Sequence, residues 1–154
     1  MTITTSILKF LYTSLVAGLL GGLAMELAMW LSSRLGLAKG DMILALGSLL
    51  TKTRENAYRV GLFVHVTAAM GFGLAYTLLM LTLGYTHLPT SLMLGLGLGA
   101  LHGLLVSLGL VWVVADHHPL AEFKDADLLV GLSHFVGHVA FGAVVGLAVG
   151  LSPL

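Results

Sequence analysis

Four stretches of the chain, at about 7–33, 60–83, 90–115 and 128–150, are each long and apolar enough to cross a bilayer. A helical span needs roughly 20 mainly apolar residues. Of all the Lys, Arg, Asp and Glu residues, only Lys9 and Glu26 fall inside these stretches. In lipid each backbone N–H and C=O must find its partner within the protein, so helices or closed barrels are the available solutions. The alternating pattern of a barrel strand is absent. The expected fold is therefore all-α: one integral membrane four-helix domain occupying 1–154.

Composition agrees with this reading. Hydrophobic residues make up 58% of the chain and charged residues 9%, where a soluble domain carries roughly 25% charge. Mean hydropathy is +1.02. There is no Cys, which removes disulfides and thiolate metal sites, and a net charge of zero gives no reason to expect nucleic acid. The first stretch exceeds the apolar region of a signal peptide, lacks a basic leader and has no small-residue cleavage site after it, so it reads as a true span.

The segment 41–50, DMILALGSLL, is too short to span. Asp41 is a good N-cap and Gly47-Ser48 interrupts the apolar run, predicting a short interfacial or re-entrant helix. Arg34, Lys39, Lys52, Arg54 and Arg59 lie between the first two spans and Lys124 lies between the last two, against Lys9 alone on the other side. The positive-inside rule then places both termini on the periplasmic face of a bacterial inner membrane.

The fourth span contains GLSHFVGHVAFGAVVG (131–146), with two histidines four residues apart. His134, His138, Gly142, Gly146 and Gly150 step by four along one helical face, as do His65, Ala69, Gly73 and Thr77 in the second span. The first span has Gly18, Gly22, Glu26 and Trp30, and the third has Gly95, Gly99 and Gly103, with His102 beside them and Ser107 one step on. Small residues at this spacing let helices approach closely in a membrane. Glu26, His65, His102, His134 and His138 are thus expected to point into the bundle. Counting at about 1.5 Å per residue from the span ends, Glu26, His65 and His134 form one layer near the cytoplasmic side, and His102 and His138 a deeper one. A weaker echo relates the halves: a Val-Gly-Leu precedes both His65 and His134, and Gly73 and Gly142 each follow their histidine by eight residues.

Ionisable groups inside a membrane are costly, an Asp at a helix centre by about 2.5–3.5 kcal/mol on insertion scales, so each calls for a reason. One is structural: a His donating a hydrogen bond to a neighbouring carbonyl or hydroxyl. Another is ligation. Glu26, His65, His134 and His138 form a candidate set for a transition metal (Fe, Cu or Zn), because imidazole and carboxylate suit such ions and bundles build sites from inward side chains. His138 with His65 or His102 forms a candidate axial pair for haem b. Asp116-His117-His118-Pro119, followed by Glu122, Asp125 and Asp127, is read as a polar cap ending the third span rather than as a surface metal site. Met25 and Met29 are read as packing rather than as copper ligands.

Three of these stretches, 40–50, 61–65 and 134–146, make the chain resemble a widespread family of small bacterial four-span membrane proteins of unknown function. The resemblance implies the fold and the membrane location, and no activity. Glu26 and Asp116-His117-His118 are not part of it. With few polar residues outside the spans, the chain is expected not to act as an enzyme on its own. The first expectation is a subunit of a larger membrane complex of respiratory or oxidase type, with a metal or haem inside. The alternatives are a purely structural accessory subunit, whose His residues serve packing and hydrogen bonding, and a small transporter or proton channel. Expected partners are the lipid bilayer and either other membrane subunits or copies of the chain.

Overall fold

The structure is a computed structural model, and it describes residues 3–37, 41–124, 127–152 and 154. Lys39, Gly40 and Asp125, which entered the reading of charge, resemblance and the third-span cap, lie outside the described residues. The described residues form helices: α1 (Ile3–Arg34), α2 (Met42–Thr51), α3 (Ala57–Leu83), α4 (Thr90–Gly109) and α5 (Leu128–Gly150). α4 runs on into a π-helical turn at Leu110–Val114, and a short 3-10 turn follows at Ala121–Phe123. Four helices, with α4 and its π turn counted as one, are long and apolar enough to cross a membrane. This is a small membrane protein.

Local chemistry sets the boundaries. Asp41 Oδ1 accepts a hydrogen bond from Leu44 N at 3.0 Å, and Asp127 Oδ1 accepts one from Val130 N at 3.0 Å. Each carboxylate thereby caps a helix start whose N–H groups lack an intrahelical partner. α3 ends at Gly84, whose φ of 75° is a left-handed conformation that costs glycine little. In the π turn, Ala115 N–H reaches back five residues to Leu110 O at 3.0 Å, which inserts one extra residue into the helix.

The packing order across the bundle is α2, α3, α1, α5, α4, with the closest associations between α4 and α5, α1 and α5, α1 and α3, and α2 and α3. Glycine permits these approaches. A Cβ on Gly142 would strike the carbonyl of Gly95, and one on Gly73 would meet Ser14 and Gly18 backbone. Gly73 and Gly142 thus do the same job in two hairpins, α1/α3 and α4/α5, which gives the eight-residue echo a physical meaning. At the α2–α3 crossing, Gly47 faces the backbone of Ala57 and Gly61 that of Ile43. The 41–50 segment is therefore a helix laid against the start of α3.

A buried core of Ala17, Met25, Ala69, Tyr76, Phe141 and Val145 fills the junction of α1, α3 and α5. Large apolar side chains such as Leu23, Phe63, Leu105 and Leu132 face outward, as lipid-facing positions must. The expected stripes hold except at Trp30, which is 54% exposed and lies under the Arg34 guanidinium, 5.1 Å from its ring centroid. Its position near the end of α1 suits an amphipathic ring at the membrane interface.

α3 and α4 barely touch. That gap is where the candidate site lies.

Candidate functional site

A cavity of about 490 Å³ occupies the space between α3 and α4, backed by α5 and the last part of α1. α2 and the segment 115–124 flank one end of it, through Asp41, Met42, His118 and Glu122. At the opposite end the gap is bridged by side chains. Tyr76 Oη donates to Leu98 O at 3.0 Å and lies 3.2 Å from His102 Nδ1, while Phe72 stacks obliquely on the His102 ring at 4.1 Å. The π turn contributes Leu110 and Val114 to the wall, and such turns are frequent at functional sites.

His65, His102, His134 and His138 all line the cavity. His134 and His138 are buried, and His65 and His102 are half-buried. Of the two layers expected from the sequence, the deeper pair is in contact, and in the other Glu26 meets His65 while His134 bonds to Val130 O in its own helix. His65 Nε2 lies 3.2 Å from Glu26 Oε1, and the His102 and His138 rings meet edge to face at 4.5 Å.

Hydrogen bonds assign the tautomers, because a carbonyl only accepts. His134 Nδ1–H donates to Val130 O at 2.9 Å, and His138 Nδ1–H donates to His134 O at 2.7 Å. When Tyr76 gives its one proton to Leu98 O, the nearer of its two acceptors, His102 Nδ1–H donates to Tyr76 Oη. All three neutral rings therefore keep an unprotonated Nε2, and among the described residues none hydrogen-bonds to it. The Glu26–His65 contact differs. Oε1 and Nε2 are out of solvent and close enough for an ion pair, but they are not aligned as a hydrogen bond.

The remaining sequence candidates sort by place. Glu26 does not line the cavity; it reaches across the α1–α3 contact to His65. Among the described residues no three His, Asp or Glu side chains converge as a metal-ligand group, so Glu26, His65, His134 and His138 do not stand as one coordination set. For haem, His102 with His138 is one of the two expected axial pairs, the other being His65 with His138, and rings in edge-to-face contact at 4.5 Å leave no slot for a macrocycle between His102 and His138. That pair does not fit the group in this arrangement.

Outside the spans, His117 Nδ1–H caps the end of the third span by donating to Val113 O at 2.8 Å. His118 is buried and works as a fastener. Its Nδ1 accepts from Leu120 N at 3.1 Å, leaving Nε2–H to donate to Ala45 O on α2 at 3.1 Å. Arg54 and Glu122, both well exposed, add an ion pair at 3.1 Å between the same two regions.

Tyr76 and Phe72 are the site residues that the sequence reading missed. Their signal was available: 65, 69, 72 and 76 share one helical face, and an aromatic pair continues the stripe that His65 begins. No protein-family model, curated protein or solved structure matches the chain.

Proposed function

We propose that this protein is a membrane-embedded binding protein whose cavity between α3 and α4 takes one small lipid-soluble molecule. The observation that carries this reading is the cavity itself. Its volume, about 490 Å³, falls within the roughly 300–1,000 Å³ of small-molecule sites, which are mostly apolar with a few convergent polar groups. Here the convergent groups are the His102, His134 and His138 rings, each oriented by a hydrogen bond from its Nδ1. A hydrogen-bonded His serving only to tie helices together would have no reason to present its other nitrogen to an open space. Three of them line it from two helices, each with its Nδ1 engaged by the protein, and a fourth histidine lines the same wall.

The test is occupancy. Val64 and Val106 line the cavity from α3 and α4, and a Trp at either site would fill much of it. Mass spectrometry of the protein released gently from its membrane should find the wild type carrying a lipid-soluble molecule that Val64→Trp and Val106→Trp lack. Identical adducts on all three proteins, or none on the wild type, would overturn the reading.

A second reading, as a subunit of a larger membrane assembly, is favoured by one separate feature. An apolar groove on the outer face of α4 and α5 is lined by Leu104, Val111, Trp112, Leu132 and Phe135, with Trp112 70% exposed. Cross-linking from Cys placed at Trp112 in native membranes should capture a protein neighbour. Labelling by lipid alone would dismiss the assembly.

A further inference from the structure

We infer that the molecule held in this cavity carries a neutral hydroxyl, phenolic or aliphatic, which donates its hydrogen bond to Nε2 of His138 or His102. The inference rests on the reading of the cavity as a binding site and names what that site selects. Its basis is an asymmetry in the lining. Among the described residues no Ser, Thr, Tyr, Trp, Asn, Gln, Lys or Arg side chain lines the cavity. Its polar side chains among the described residues are Asp41 and Glu122 at the end beside α2, His118 there as well, and the four interior histidines. His118 has spent its Nε2–H on Ala45 O. His102, His134 and His138 have spent their Nδ1–H groups inside the protein and keep acceptor nitrogens only.

His65, on the α3 wall beside Glu26, keeps an N–H of its own, but around His134 and His138 the acceptors reject a ligand head that only accepts. Ketones, ethers and esters would bring a lone pair against a lone pair, and a desolvated acceptor without a partner is costly. A cationic head meets a different obstacle. The interior end offers no carboxylate, because Glu26 lies outside the lining and against His65, and an unneutralised charge in an apolar site is strongly disfavoured. A bare metal ion lacks a third converging His, Asp or Glu ligand among the described residues. A neutral O–H satisfies an Nε2 with no charge to compensate. Apolar side chains from Met25, Val64, Phe72, Val106 and Phe141 then cover the rest of the molecule.

Matched pairs of compounds test this in nanodiscs: 4-octylphenol against 4-octylanisole, and 1-decanol against its methyl ether, each titrated by mole fraction in the bilayer. Protein labelled with ¹⁵N-histidine supplies the readout, since accepting a hydrogen bond moves the Nε2 resonance directly. At least one hydroxyl compound should bind about tenfold more tightly than its ether and shift the Nε2 signals of His102 or His138. Whichever pair shows the preference identifies the source, aromatic or aliphatic. His138→Phe should erase it, and the wild-type spectra stand as the test should that variant misfold. Equal binding of hydroxyl and ether in both pairs would overturn the hydroxyl inference and leave the cavity reading standing. No binding by any of the four compounds would overturn both.

Discussion

At the scale of single residues, polar side chains in this bundle fall into two kinds, and their energetics differ. Ser107 is the first kind. Its buried Oγ–H donates to Gly131 O at 2.7 Å, joining α4 to α5. Intramembrane bonds of this kind contribute about 0.6 kcal/mol on average and up to about 1.7 kcal/mol. Ser107→Ala should lower stability by that amount in a reversible unfolding titration in bicelles, with ligand binding unchanged. His102, His134 and His138 are the second kind, because each ties its Nδ1 to the protein while its ring lines the cavity. Their inward placement was legible from spacing alone, since His134 and His138 continue a glycine stripe. Their tautomers were not. They depend on which carbonyl or hydroxyl lies within reach, as the Tyr76 bridge to His102 makes plain.

At the scale of elements, close helix approach decides the architecture. Gly95, Gly99, Gly142 and Gly146 bring α4 and α5 into backbone contact, so Gly142→Val should push them apart. An overpacked interface of this type costs about 1–3 kcal/mol, measurable as a lower unfolding midpoint. The spans were legible because twenty apolar residues leave few other options in lipid. The π turn at Leu110–Val114 was not, since it arises from one shifted backbone bond rather than from any residue pattern. α2 is an intermediate case. Its length and its Asp41 cap were readable, but the Gly47–Gly61 contact that seats it on α3 joins two elements and shows only in three dimensions. With Gly47→Val the seat is lost. Amide hydrogen exchange across Met42–Thr51 should then quicken, while exchange in α5 stays near the wild-type rate.

For the molecule as a whole, the cavity exists because the two hairpins meet through α1 and α5, which leaves α3 and α4 apart. No periodicity within one helix could reveal a gap between two. This explains why the histidines could be read as inward-facing and yet be given to a metal or a haem. The six-to-one division of Lys and Arg sets a further expectation by the positive-inside rule. A periplasmic reporter fused after Leu154 should be active and a cytoplasmic one silent; the reverse would invert the topology. The most direct measurement of the central claim is the map of a lipophilic diazirine probe photolysed in membranes containing the protein. Cross-links should concentrate on cavity-lining positions, above all Val64, Phe72, Val106 and Phe141, and Val106→Trp should suppress them. Labelling confined to outward positions such as Phe63, Leu105 and Trp112, unchanged by Val106→Trp, would contradict the account.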